Sequence, residues 1–377
     1  MKAVFQLGAI VALVASAIFA APRTVTLAMP TFSQAYGVEC STCHTAVPAL
    51  NAYGRYLQRT GFATLDPTLM KRALPFWVGE NTSYDTQGPN SPHQVKFGNL
   101  ALHGGGTLSA DWAFHVHQWL VHGEQPGGID SLWVVYNGLN KHNGHLFVGT
   151  IEAPGPSAFM EWAEIAPLAT PGITVGEHMW QNGMNRWGAK YAYVKGALNL
   201  EAGYLGSDAD LNGATDFAPL SGKTFQWRAA FAPADKPLEV GVYGNVGTVP
   251  LMEGGVDRYS SVSAYTQIDP SRHGMPGLLA IYQRGLDGNP GAGVGRTRSS
   301  AYTIDVYEPV FNGRGLVGLR RELTHDGMGN VMHSGNIDFT FSISRFLRFY
   351  SEASLSQNNK PAYRWYVWWT SPIVKAH

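Results

Sequence analysis

The chain has 377 residues, with 27 basic and 27 acidic side chains, so its formal net charge is zero. Charged residues make up only 14% of it, against roughly 25% for an ordinary soluble domain, while aromatics reach 12% and glycines number 44. A neutral chain of this kind offers no basic face for nucleic acid and no strong field for a charged partner; its length suits either a sizeable core or a barrel without one.

Met1-Lys2 followed by the apolar run Ala3 to Ala20 reads as a secretory leader over residues 1–20, with cleavage after Ala20 or as late as Ala28. No later run is long and apolar enough for a membrane helix, which leaves a soluble exported protein or a β-barrel.

Residues 29–73 form the next unit. Cys40-Ser41-Thr42-Cys43-His44 reads Cys-x-x-Cys-His, the attachment sequence of a c-type haem: two thiolates add across the vinyl groups and the adjacent imidazole is the proximal ligand of the haem iron. The chain has two cysteines, and both are in this motif. Three other readings stand beside it: a structural Cys40–Cys43 disulfide, a thioredoxin-like redox pair, and a zinc site. The first two do not require His44, and the third lacks a second ligand pair at zinc spacing. Downstream, Val47, Leu50, Tyr53 and Leu57 recur near helical spacing, Pro48 suits a first turn and Gly61 an end, so a helix is expected up to about Phe62. A segment this short cannot bury a haem, so residues downstream must cover it.

Residues 74–377 change to strands and turns. In Ile337 to Ser344, Ile337, Phe339, Phe341 and Ile343 share one face and Asp338, Thr340, Ser342 and Ser344 the other. After a tight connection near Arg345-Phe346 the alternation repeats from Leu347 to Ser356. Similar segments run from Leu198 to Tyr204, Phe225 to Phe231, Glu239 to Tyr243, Ser260 to Gln267, Leu278 to Arg284, Tyr302 to Glu308 and Leu316 to Glu322. Stretches such as Asp287 to Gly291 and Asp326 to Asn330 read as the turns between them. Gly104-Gly105-Gly106 and Gly291 to Gly295 lack the context of a nucleotide site and read as flexible turns.

Such a pattern fits a sandwich or a membrane barrel. Three features favour the membrane: aromatics near strand ends, as in Tyr363 to Trp369; charges deep in strands, as at Asp305, Arg320 and Glu352; and alternation of long with short connections. The span holds about sixteen strands of the ~9–11 residues that a tilted membrane strand needs. The expected fold is thus mainly β, a porin-like transmembrane antiparallel β-barrel with a short helical N-terminal haem c plug.

The residues around the motif also carry a family resemblance. Pro30-Thr31-Phe32, Cys40 to Pro48, Leu50 to Arg55 and Thr60-Gly61-Phe62 resemble the outer-membrane monohaem cytochrome-porin fusions, which include iron-oxidising outer-membrane c-type cytochromes; Val95 to Leu100 and Leu108 to Phe114 resemble the early barrel strands. The likeness is specific over about 35 residues near the motif and only a matter of pattern beyond. It implies one haem c on a plug inside or at the mouth of a barrel in the bacterial outer membrane. By it, the haem takes an electron from extracellular Fe(II) and passes it to a periplasmic cytochrome or copper protein. A passive porin with a Cys40–Cys43 disulfide and a soluble periplasmic electron-transfer cytochrome are the alternatives.

For the distal side of the haem iron the candidates are His115 and His117, which share a strand face with Trp119; a solvated lumen side chain is the plain alternative for each. His103, His178, Met179 and Met70 are weaker candidates. His122, His142 and His145 read as residues of connections, and Asp208, Asp210 and Asp216 as a solvated acidic loop.

Overall fold

The computed structural model describes residues 32, 35–47, 49–69, 76–86, 94–122, 125–152, 173–175, 178–180, 185–206, 223–250, 256–270, 275–288, 295–344, 346–356 and 361–372. The leader at 1–20 lies outside them. After a 3-10 turn at Cys40–Thr42, β1 (His44–Ala46) pairs antiparallel with β2 (Ala49–Leu50), and α1 (Ala52–Arg59) follows. Next come β3 (Phe76–Asp85), β4 (Gln94–Thr107), β5 (Trp112–His122), β6 (Gln125–Pro126), β7 (Ile129–Leu139), β8 (Gly144–Glu152), β9 (Ile173–Val175), β10 (His178–Trp180) and β11 (Asn185–Lys195). The remainder are β12 (Leu198–Gly206), β13 (Lys223–Phe231), β14 (Leu238–Pro250), β15 (Val256–Ile268), β16 (Gly277–Asp287), β17 (Thr297–Val310), β18 (Gly315–His325), β19 (Val331–Ser344), β20 (Leu347–Ser356) and β21 (Ala362–Pro372).

Sixteen of these strands, β3 to β5, β7, β8 and β11 to β21, pair antiparallel in sequence order, and β21 returns to β3 to close the barrel. Closure leaves no unpaired sheet edge. The two-residue β6 lies between β5 and β7, while β9 and β10 pair with each other.

Burial in this sheet is inverted relative to a water-soluble protein. On β19, Ile337 is 55% exposed while its neighbour Asp338 is 4% exposed, with Thr340 and Ser342 equally enclosed. On β12, Leu198, Leu200 and Tyr204 face out and Asn199 and Glu201 face in; on β17, Tyr302 and Ile304 face out and Thr303 and Asp305 in. An apolar exterior over a polar interior satisfies both faces when the outside solvent is hydrocarbon and every backbone group is bonded within the wall. The charges expected in the lumen, Asp305, Arg320 and Glu352, are all there.

The expected alternation of long with short connections holds only in part, since 269–276 is longer than 251–255 and 326–330 at the opposite end. Those at 108–111, 140–143, 196–197, 311–314 and 345–346 are short and join strands at one end; the longest intervals, 153–184 and 207–222, separate strands at the other. The N-terminal segment plugs the short-turn end: Thr340 Oγ1 donates to Val47 O at 3.2 Å, Asn137 Nδ2 to Gly61 O at 3.3 Å, and Thr107 N to the Tyr36 hydroxyl at 2.7 Å. Ala46 and Ala49 pack against Tyr243, Tyr265 and Tyr307, and Leu57 and Phe62 against Trp133 and Phe147. Within the long 153–184 connection, β9 comes back against β16 and β17, whose outward Tyr282 and Tyr302 stay exposed while Ile281 and Ala301 are covered. The hairpin is therefore folded into the lumen.

Several expectations change. The helix begins only at Ala52, because Asn51 caps it and Val47 and Leu50 belong to the hairpin region before it; among the described residues of the plug, Phe32, Ala35 and Tyr36 are also helical, and 3-10 turns and a small ladder accompany them. Gly61 does end the helical stretch, at φ +54°. Gly104 to Gly106 lie inside β4, since Phe76 packs over Gly104 where a side chain would clash. The aromatic run on β21 is divided: Tyr363 and Trp369 face out and Trp368 is buried inside.

Replacing Ile337 with Arg should lower the unfolding free energy in phospholipid vesicles by about 2–4 kcal/mol, while Ile337→Leu should stay within about 1.5 kcal/mol. Urea titration checks this; an indifferent Arg variant would mark a water-facing wall.

Candidate functional site

The Cys40–His44 stretch is shaped by local backbone bonds. Thr42 N donates to Glu39 O at 3.1 Å and Cys43 N to Cys40 O at 3.2 Å, making a tight turn that carries both thiols. Asn51 fastens this turn to α1. Its amide donates to Ser41 O and Thr42 O at 3.2 and 3.1 Å, its Oδ1 accepts from Gly54 N at 2.9 Å as the N-cap, and its own N–H donates to Cys43 O at 2.9 Å. Gly54 is required here, because a Cβ would run into Cys43 O.

Cys40 is buried and Cys43 half-buried, and no disulfide joins them. Burial, with Cys40 nearby, pushes the Cys43 thiol up to about 11, so it stays neutral at ordinary pH. Cys43 packs at the edge of a cluster that includes Phe32, Tyr36, Leu57, Phe62 and Trp133. His44, half-buried, opens β1 opposite Leu50.

The plug is tied to the wall by buried charge. Arg55 is 1% exposed; its Nη1 and Nη2 reach the two Asp269 oxygens at 2.6 and 3.1 Å, its Nε donates to Glu239 Oε2 at 3.0 Å, and Nη1 also serves Leu50 O at 2.9 Å. Arg59 donates to the other Glu239 oxygen, which also accepts from the Tyr265 hydroxyl at 2.6 Å. Burial opposes the Arg55 charge, but Asp269 and Glu239 outweigh it and hold the guanidinium above its ordinary pKa. Burial pushes Asp269 above the usual carboxylate range even with Arg55 on it. The fork on both Asp269 oxygens fits the ion pair.

His115 and His117 both face the lumen, as expected, but in different surroundings. The His115 ring lies against Trp133 at 5.4 Å and reaches the plug through Phe62 at 6.4 Å, and its Nδ1 is 3.1 Å from Ser131 Oγ. His117 belongs to a separate stack, 3.9 Å from His103 and 4.5 Å from Trp119, with His103 on Trp77 at 3.8 Å. Its Nδ1 is 2.9 Å from Asp130, and its Nε2 is buried with no hydrogen-bond partner among the described residues. His115, not His117, thus shares the apolar cluster that flanks Cys43.

The weaker candidates disperse. His178 and Met179 sit in β10, opposite Val175 and Thr174; Met70, Asp208, Asp210 and Asp216 lie outside the described residues. His142 is in a turn beside Asp111, as expected. His122 and His145 are corrections: the first ends β5, and the second is buried in β8 with Nδ1 2.8 Å from Asn137 Oδ1. Among the described residues no three His, Cys, Asp or Glu groups converge on a free metal ion. Sequence reasoning missed the anchor, although Arg55 and Arg59, four apart on a helix, were its visible half.

No family model and no curated protein matches this chain. Among solved structures it is similar to the anion-selective porin of Comamonas acidovorans at 13% identity and TM-score 0.59, over 79% of this chain and 98% of that one. It is also similar to OmpT of Vibrio cholerae at 10% identity and TM-score 0.56, over 78% and 98%. The third is OprB of Pseudomonas putida, at 10% identity and TM-score 0.54, over 84% and 96%. The fold is that of a porin.

Arg55→Ala should leave Glu239 and Asp269 short of a partner and cost about 3–5 kcal/mol. Hydrogen exchange should then rise in Ala52–Arg59 while the strands far from the plug stay protected; unchanged exchange in α1 would show that the ion pairs do not hold the plug.

Proposed function

We propose that the chain is a bacterial outer-membrane c-type cytochrome that carries electrons between the outer face and the periplasm, with extracellular Fe(II) as donor and a periplasmic cytochrome or copper protein as acceptor. What carries the reading is that the chain's two cysteines precede His44 on one turn, which Asn51 ties to α1, with Cys43 packed against an aromatic cluster between plug and wall. That donor set and flank suit haem c: two thiols for the vinyl groups, an imidazole for iron, and apolar rings for the macrocycle. Cys40, Cys43 and His44 would hold the haem, which would supply a one-electron couple within a membrane that otherwise insulates.

The chain's own residues do the rest. Asn51 fixes the order of thiols and imidazole, and Arg55 and Arg59 keep the plug from leaving the barrel. The polar lumen gives ferrous ion a wet approach from outside, and oxidation there keeps poorly soluble ferric products out of the cell. Of the two lumen histidines on β5, His115 would be the better placed to serve the haem iron, since Ser131 engages its Nδ1 and its ring lies against Phe62 of the plug; His117 would be the second choice.

Detergent-extracted protein should show Soret and α bands that survive denaturation, together with a mass gain of one haem, and Cys40→Ser with Cys43→Ser should lose both. Absence of the mass gain in the processed chain would reduce the protein to a pore. Fe(II) added at acid and neutral pH should sharpen the reduced α band; failure at both removes iron as donor and leaves the cytochrome. His115→Ala should alter the ligand-field spectrum more than His117→Ala, and the reverse order would exchange their roles.

A further inference from the structure

The outward wall of β15 to β18 carries cations towards the end away from the plug. Arg258 is the third residue of β15, Arg284 lies three from the end of β16, Arg298 is the second of β17, and Arg321 stands in the distal half of β18. All four are exposed. Arg284 pairs in register with Ser300, and Arg298 with Leu286, so the two arginines are diagonal neighbours across β16 and β17.

They border a groove of about 410 Å³ whose other walls are the outward Trp227, Val246, Val262 and Leu286, with the buried Asn245 and Ser261 beneath. Its floor is made possible by Gly244, where a Cβ would come within 3.0 Å of the Trp227 ring.

No anion of the chain faces this groove among the described residues. Asp257 and Asp287, on the same strands, point inward and are buried; Asp326 is engaged with Asn330 and Met328 N; Glu308 is at the far end of β17. Arg284 and Arg298 have no ion pair among the described residues. A cation on the lipid face of a barrel is costly at the midplane and tolerated near the interface, so these positions demand headgroup depth or an anion.

We infer that this groove binds a phosphate-bearing lipid of the outer leaflet, with Arg284 and Arg298 on phosphate and the apolar floor against an acyl chain. Guanidinium forks match phosphate oxygens two at a time, and aliphatic lining is what a chain beside that headgroup needs. The inference rests on the outer-membrane placement proposed above and not on the haem.

The test uses the full-length chain in dodecyl maltoside micelles, analysed by native mass spectrometry with diphosphoryl lipid A, its dephosphorylated form and, separately, inorganic phosphate. Retention of the diphosphoryl form should exceed that of the dephosphorylated form about tenfold, should fall about tenfold in Arg284→Gln/Arg298→Gln, and should be untouched by equimolar inorganic phosphate. Lys195→Gln, outward at the opposite end, should change nothing. If the double variant loses its folded gel mobility, raising salt on the wild-type chain replaces it and should weaken the diphosphoryl preference. Equal retention of both lipids, an unaltered double variant, or salt independence overturns the proposal, and displacement by phosphate would mean a simple anion site. A chain that fractionates without detergent fails earlier, at the outer-membrane placement.

Discussion

The architecture depends on the contact of Arg55 and Arg59 with Glu239 and Asp269. An eight-residue helix has no independent stability in water, so α1 exists because something holds it. Glu239 stands at the start of β14 and Asp269 just after β15, and only the paired sheet brings them together. The carboxylates are enclosed as deeply as the arginines, so neither partner can be withdrawn without stranding a charge. Such a network adds less net stability than its short distances suggest; what it fixes is one seating of the plug, and with it the position of the Cys40–His44 turn.

The polar lumen explains how so irregular a plug can be buried. A segment made mostly of turns leaves backbone carbonyls without helix or sheet partners, and buried ones must be satisfied. Here the wall satisfies two of them, Thr340 serving Val47 and Asn137 serving Gly61, while within the plug Arg55 turns back to Leu50. Inward-facing polar residues are thus the plug's hydrogen-bond partners as well as a wet lining, while the outward face meets a different solvent. That separation of two solvents by one pleated sheet is the physical content of the period-two pattern.

The pattern was easy to read where each residue reports its own environment. Ile337 to Ser344 declares its two faces in order, and the tight connection before Leu347 follows from the same alternation. It was hard to read where register decides. His115 and His117 share a face, yet Phe62 reaches the first and His103 stacks on the second, which depends on how β4 and β5 align and on where the plug rests. Gly104 to Gly106 invite a turn by composition, but on a cross-strand partner of Phe76 absence of a side chain is what the strand needs. The early start expected for the helix came from Val47 and Leu50, whose spacing is helical by coincidence in a hairpin too short to show a period of its own; the Asn51 cap was the better signal. Of the site, the motif and the lumen-facing histidines were legible, and the Glu239–Asp269 half of the anchor was not, since its partners are about 180 residues or more from Arg55 and Arg59 along the chain.

Closure of the barrel poses the remaining physical problem, because β3 and β21 stand at opposite ends of the sheet in sequence and pair Trp77 with Pro372. Loop-closure entropy grows only slowly with length, by about 0.6 kcal/mol per doubling, but it must be met before any contact at the seam forms. The seam is where the largest rings gather. Trp368 on β21 meets Trp77 on β3 edge-on at 6.3 Å, Trp77 lies on His103 of β4, and His103 on His117 of β5, each of the last two pairs in register across neighbouring strands. At about 0.5–1.5 kcal/mol per aromatic contact beyond the area buried, such a row outweighs the added closure entropy and fixes register, since a slip of one residue would turn every ring into the lipid. The imidazoles between the tryptophans therefore have work in the wall itself, and of the two lumen histidines on β5 it is His115, outside that row, that is left to face the plug.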